Sequence, residues 1–439
     1  MRLLRLLKRD LHNETRHWVE DGIISESQAE AICHRYGIDY RDQTQHSFGY
    51  YVLIALGYLF IGLAVIVLVG ENWEDIPRAV RMGGLISLTL VCNGIGLVAW
   101  QRNQPGVTVL WFFLGGLMYG ASIMLIAQIY HIGEHFPDGI FWWALGVLPI
   151  ALLLRSNLIM ALVMVLAYLW FFTESGLGFY PALFPLFLLG IVWLNLHSKP
   201  SILLFLALIA GVGIYLEYTL AWYIGEHGRL DFGPEHVFFG AAIFVLFHGL
   251  AEWLGHRDEH QLADYGTVLK LWVLRFAILG LLVFSFEGPW RELLRATWDA
   301  QGLMIAISIV FTALAIGLAY RANRSVLATA STLAFAVVYL AALIAVLNLK
   351  EQHSTVMQVA DNIVLVLTGV WLITQGIREG VTHYFYLGVF TVLLTGLLRY
   401  IDLVGDYIGA SILFAIFAAI LLVSARYWKK HVANAEATR

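Results

Sequence analysis

Residues 114–150 read LGGLMYGASIMLIAQIYHIGEHFPDGIFWWALGVLPI. Two apolar runs are joined here by a polar knot that sets Gln128, His131, Glu134, His135 and Asp138 within eleven residues. A hydrocarbon core of about 30 Å takes roughly 20 apolar residues of helix. Each flanking run is long enough to cross, so the knot reads as a turn at a membrane surface, and this stretch decides the fold: helices that span a bilayer.

The same pattern recurs outward from it. Of 439 residues, 60% are hydrophobic and 13% charged, and the mean hydropathy is +0.75, far from the usage of soluble domains. About fourteen spans are predicted, over 48–70, 78–100, 107–130, 139–154, 157–173, 180–196, 201–222, 235–254, 267–287, 301–320, 325–347, 360–378, 382–398 and 406–428. The fourth, fifth and thirteenth are short. The expected fold class is therefore all-α, a polytopic transmembrane helical bundle over 48–428, preceded by a short cytosolic helical hairpin (1–47) and followed by a cytosolic tail (429–439).

In the hairpin, Leu4, Leu7, Leu11 and Trp18 fall at helical spacing, Gly22 breaks the pattern, and Ser25-Glu26-Ser27-Gln28 forms a capping box for a second helix. These first 47 residues are polar throughout and have no short apolar core before a cleavage site, so no secretory signal peptide is expected. Eight acidic against seven basic side chains argue against a DNA-reading helix-turn-helix and against nucleic acid as a partner. Docking to a protein partner or self-association through residues 1–47 is the expectation.

Charge orients the bundle. With the N-terminus inside, 20 of the 27 Lys and Arg fall on the cytosolic side, the bias that the positive-inside rule requires. Both termini are expected in the cytosol, in a bacterial inner membrane, with the lipid bilayer as the main partner. Most tryptophans, Trp73, Trp100, Trp143, Trp170, Trp193, Trp222, Trp253 and Trp428 among them, fall near helix ends or in loops and read as interface anchors. Gly116 and Gly120 form a GxxxG step, and Gly83, Gly84, Gly94 and Gly96 line the preceding span, so close helix packing is expected there. Cut near residue 230, seven spans lie on each side, the arithmetic of an inverted repeat. Cys33 and Cys92 are placed too differently for a structural disulfide.

Several groups carry candidate chemistry. His131, Glu134 and His135 match HxxEH, which on a helix holds zinc beside a general base; Gly133 and Pro137 place it instead in a loop or frayed helix end, so no metal or other cofactor is expected. Within the spans, ionisable groups are functional candidates because burial without a partner is costly. Glu217 lies toward the end of the seventh span, and His248 and Glu252 sit four apart on one face of the eighth. They read either as a proton relay or as a structural pair. Arg399 and Asp402 end the thirteenth span at i, i+3, a salt bridge or an anchor for an anionic headgroup. Asp361 and Asn362 open the twelfth span, where a carboxylate suits the helix N-terminus. Asn93, Asn195, Asn348, Gln128 and Gln375 are expected to bond between helices. The outer loops, Glu71 to Asp75, Glu226 to Glu235 and Glu287 to Asp299, read as a solvated acidic rim or a cation-binding vestibule.

The blocks HWVEDGIISESQAEAI, GENWEDIPRAVR, AQIYHIGEHFPDGIFWWALGVLPIALLLRS and RYIDLVGDYIGASILFAIFAAILLVSARYWKK resemble the bacterial polytopic membrane proteins catalogued as domain of unknown function 2157. The resemblance implies a multi-span inner-membrane protein and imports no reaction. The residues themselves favour transport or flipping of a small or amphipathic solute. Gln128, His131, Glu134, His135, Asp138, Arg399 and Asp402 would serve as outer gate or binding groups, and Glu217, His248 and Glu252 as titratable groups within the membrane. The alternatives are a non-catalytic scaffold or assembly factor acting through the hairpin and outer loops, and a metal-dependent or lipid-linked membrane enzyme. GxSxG, GxxxxGK[ST] and CxxC are all absent from the sequence, so the reading leans away from an enzyme.

Overall fold

A computed structural model of the chain describes residues 14–35, 53–54, 56–57, 59–61, 63–64, 77–130, 135–225, 233–323, 329–380 and 382–403. Every regular element among them is helical. In chain order they are α1 (14–20), α2 (Glu26–Arg35), α3 (Arg78–Gln101), α4 (Pro105–Tyr130), α5 (Pro137–Leu153), α6 (Asn157–Gly176), α7 (Phe184–His197) and α8 (Ile202–Ile224). There follow α9 (Pro234–Gly255), α10 (His260–Phe284), α11 (Glu287–Arg295), α12 (Gln301–Asn323), α13 (Ala330–Asn348), α14 (Ser354–Glu379) and α15 (Thr382–Leu403).

Among the described residues, α3, α4, α6, α8, α9, α10, α12, α13 and α14 are long and apolar enough to cross a membrane. Their outward faces are apolar too: Leu90, Val165, Val283 and Leu367 are each more than half exposed. In water such surface would be a liability; against lipid it is the expected boundary. The chain is an all-helical membrane protein. The short helices are α5 and α7, of 17 and 14 residues. The fifth and thirteenth spans, expected to be short, form the 20-residue α6 and 22-residue α15, because polar residues at their ends continue the helix. Of the first predicted span only nine residues between 53 and 64 are described, all helical; the last predicted span, the Glu71 to Asp75 loop and the tail lie outside the described residues.

The chain divides into two compact units, Met1–Val212 and Gly213–Arg439, with the division inside α8. In the first, α1 and α2 form the hairpin. Ser25 Oγ accepts from Gln28 N at 3.3 Å and Gln28 Oε1 accepts from Ser25 N at 2.9 Å, the reciprocal capping box. Thr15 Oγ1 and Cys33 Sγ meet at 3.4 Å across the hairpin, and Cys33 and Cys92 are both free and buried.

Farther along the first unit α3 packs on α4 around Cys92, Leu114 and Met118, and α5 packs on α6, where Ile159, Met160 and Phe171 are fully buried with Phe184 and Phe187 of α7. The GxxxG step of α4 receives a side chain rather than another backbone. The indole of Trp143, from α5, fills the space where a Gly120 Cβ would stand, and its Nε1 donates to Gly116 O at 2.8 Å. Tyr119 fills the matching space at Gly146. Trp143, half-buried, is thus a packing knob rather than an interface anchor, and Trp170 and Trp290 are buried. In α3, Gly96 meets the Phe112 ring, whereas Gly83, Gly84 and Gly94 face open space and form no close seam among the described residues.

In the second unit α9 is central: 61% of its membrane-length window is buried, against 17% for α3. It packs on α10, α12 and α13, and at Gly249 a Cβ would collide with the Ala315 backbone of α12. α14 pairs with α15, and α11 lies on α14. Leu274, Ile278, Leu282, Leu365 and Leu372 form a buried cluster shared by α10 and α14.

Interhelical polar contacts come from hydroxyls more than amides. Thr89 bonds Ser122 at 2.9 Å, Tyr168 Oη donates to Ala207 O at 2.6 Å, and Ser308 bonds Tyr339. Asn93 and Asn348, expected to bridge helices, donate instead to Thr89 O and Ile344 O of their own helices. A short amide reaches the carbonyl four residues back more readily than a neighbouring backbone.

Candidate functional site

The polar knot between α4 and α5 is partly described. Gln128 on α4 and Asp138 in the first turn of α5 are exposed, and Asp138 there complements the helix N-terminus. His135 precedes α5, its Nε2 lies 2.7 Å from Glu174 Oε2 at the end of α6, and its ring meets Phe179 edge-on at 4.6 Å. His131 and Glu134 lie outside the described residues. The partner that the structure gives His135 is therefore a carboxylate 39 residues away. Among the described residues no three His, Cys, Asp or Glu side chains gather into a set able to hold a metal.

The richer chemistry runs along α9. At its N-terminal end His236 Nδ1 lies 2.7 Å from Glu217 Oε1 of α8, and Glu217 Oε2 is buried with no hydrogen-bond partner. Glu235, expected on a solvated rim, is 2% exposed. Its Oε1 accepts from the backbone N–H of Asp299 at 2.6 Å and of Ala300 at 3.1 Å, two donors of the segment that leads into α12. About 18 Å farther along α9, at 1.5 Å per residue, His248 is fully buried. Its Nδ1 meets Thr332 Oγ1 of α13 at 3.0 Å, its ring stacks on Phe335 at 4.8 Å, and its Nε2 has no hydrogen-bond partner.

One turn beyond, Glu252 faces Lys270 Nζ of α10 at 2.7 Å with 7% of its side chain exposed. Ser331 donates to the same carboxylate at 3.3 Å, and His256 Nδ1 is 3.9 Å from its other oxygen. The i, i+4 pair His248 and Glu252 thus do not bond to each other. They take the adjacent hydroxyls Thr332 and Ser331, which place both groups against the first turn of α13. Glu217 belongs to a separate pair at the other end of the helix. The arrangement can hold a proton or a small cation: an imidazole with one unpartnered nitrogen stands one turn from a carboxylate whose counter-ion is a flexible lysine.

A third polar group, around Asp361, differs from its sequence expectation. α14 begins at Ser354, so Asp361 stands two turns inside the helix instead of capping its start. It is 6% exposed, and its Oδ2 has no hydrogen-bond partner. Beside it Asn362 Nδ2 donates to Ser285 O at 3.1 Å and Gln358 Nε2 to the same carbonyl at 3.2 Å. Arg399 acts electrostatically on Asp361, and its guanidinium lies over the Phe286 ring at 5.1 Å. The side chain of Asp402 lies outside the described residues.

Between α10 and α12 the acidic stretch forms α11, with Trp290 buried and donating to Phe284 O at 2.6 Å. Glu287 accepts from Arg291 at 2.9 Å and from Ser354 at 2.8 Å. These two bonds, the arginine's first, hold its carboxyl below the usual glutamate range.

Three comparisons bear on identity. Residues 16–160 match the family model DUF2157, described as a predicted membrane protein. The DUF2157 match takes in the hairpin, α3, α4, the polar knot and α5, three of the four blocks on which the resemblance was read. No curated protein and no solved structure matches the chain. The α9 site lies beyond the DUF2157 stretch and rests on its own geometry.

Sequence reasoning found His135, Glu217, His248 and Glu252 but missed their partners Glu174, His236, Thr332 and Lys270. Glu174 and Lys270 were visible as charges at the edges of apolar runs. Thr332 carried no signal, since a hydroxyl inside a span is ordinary until a histidine is found opposite.

Proposed function

We propose that the chain is an inner-membrane carrier that moves a small or amphipathic solute by alternating access, coupled to protonation along α9. One observation carries this reading: His248, fully buried with Nε2 unpartnered, stands one turn from the Glu252–Lys270 pair on the most buried spanning helix. Ionisable groups inside spans are costly and mark solute or proton paths. A proton taken by His248 places a cation beside Glu252 and Lys270, weakening the hold of the lysine on the carboxylate. A cationic group of a solute then competes for Glu252. The His236–Glu217 pair offers a second titratable station about 18 Å away. Both termini are in the cytosol, and Gln128, His131, Glu134, His135 and Asp138 serve as outer gate or binding groups, as do Arg399 and Asp402 in the second unit.

Everted vesicles from cells that express the chain test this. A pH gradient is imposed and followed with an acridine dye while Na+, K+, Li+, Ca2+, ethidium and tetraphenylphosphonium are added in turn. At least one addition is expected to dissipate the gradient with the wild-type chain and not with Glu252→Gln or His248→Ala. Dissipation by none of them, or unchanged dissipation with both variants, overturns the reading.

A further inference from the structure

Between α10 and α15 a cavity of about 530 Å3 is lined by Arg275, Thr382, His383, Tyr386, Leu387 and Phe390. Its level in the membrane follows from the chain. α14 closes on Gly380, whose φ of +67° is the left-handed turn that stops the helix, and α15 starts at Thr382. The turn that ends the membrane-length α14 lies at the headgroup layer, because its free backbone groups need polar surroundings. Thr382 and His383 are in the first turn of α15, beside that boundary. Tyr386 and Phe390 follow one and two turns deeper, about 6 Å and 12 Å, and are 50% and 57% exposed.

The facing wall is cationic, formed by Arg275. The Arg275 guanidinium lies over the Trp272 ring at 5.3 Å, and Trp272 stacks on Phe276 at 5.7 Å. Among the described residues no carboxylate stands within ion-pair distance of Arg275. An arginine with no counter-ion among the described residues, at the edge of an apolar layer, is suited to an anion. Its planar fork matches a phosphate, and basic pockets between spanning helices take anionic headgroups. The exposed Tyr386 and Phe390 continue the cavity toward the acyl region, where a lipid has chains to place and a free phosphate has none.

We propose that this cavity holds the headgroup of an anionic phospholipid, its phosphodiester paired with Arg275 and bonded by Thr382 and His383, its acyl chains lying over Tyr386 and Phe390. The site is independent of the transport reading.

Native mass spectrometry of the full chain, delipidated and mixed with defined lipids, tests the assignment. Phosphatidylglycerol is expected to be retained about 10-fold more than phosphatidylcholine, a difference of about 1.4 kcal/mol. Arg275→Gln is expected to abolish that preference, and Arg275→Lys to keep most of it. Should Arg275→Gln fail to fold, the double variant Thr382→Val, His383→Ala is expected to lower retention severalfold. Equal retention of the two lipids, retention unchanged in Arg275→Gln or in that double variant, or displacement of phosphatidylglycerol by millimolar inorganic phosphate overturns the proposal; the last outcome assigns the cavity to free phosphate.

Discussion

Glu252 and Lys270 meet at 2.7 Å with 7% and 27% of their side chains exposed. Attraction at that distance and depth is offset by the desolvation of both charges, so the pair adds little net stability, whereas removal of one partner strands the other. Glu252→Leu is therefore expected to destabilise the protein by about 3 kcal/mol, and the double variant with Lys270→Met by less than about 1 kcal/mol, read from thermal unfolding in detergent micelles. A double variant as damaged as the single one would show that Ser331 and His256, rather than Lys270, account for the role of Glu252. At this scale the sequence showed which residues carry charge and which share a helix face. His248 and Glu252 were legible as neighbours on α9. That they turn to different partners was not, because the partners lie 84 and 18 residues away.

At the scale of the element, periodicity and length placed each predicted span between 78 and 398 on a helix, mostly with its ends within a few residues. Glycine was harder to read. The sequence offers Gly83, Gly84 and Gly94 in one helix and Gly249 in another with no means of ranking them, yet only Gly249 abuts a backbone. Gly249→Leu is expected to cost about 3 kcal/mol or prevent folding, since it forces α9 away from α12. Gly94→Leu, with nothing within 4 Å of the added Cβ, is expected to stay within about 0.5 kcal/mol of wild type. Melting temperatures of the purified variants check both. The GxxxG step repeats the lesson: small residues announce a close approach, but the occupant, the Trp143 indole, comes from another helix.

For the whole molecule, the distribution of Lys and Arg predicts that the α4–α5 turn faces outward and the α9–α10 turn inward. With Cys33 and Cys92 replaced by serine, Asp138→Cys is expected to react with a membrane-impermeant maleimide in intact spheroplasts. Arg257→Cys is expected to react only after permeabilisation. The reverse pattern would invert the bundle and move the polar knot to the cytosol. Asp138 in the first turn of α5 and Arg257 just beyond α9 are both exposed, so labelling reports the side of the membrane rather than burial.

By itself the sequence determined that residues 114–150 hold two apolar helices around a polar turn, and that such helices recur along the chain. Apolar length and charge placement act locally, and a bilayer reads them directly. The tertiary structure decided what the polar groups do. It joined His135 to Glu174, took Glu235 from the rim to the segment that leads into α12, moved Asp361 from a helix start into an interior, and left Arg275 facing a cavity. Those outcomes depend on which helices become neighbours. Between helices that look alike to lipid, that choice rests on shape, on an indole over one glycine and a backbone against another, which no single run of residues contains.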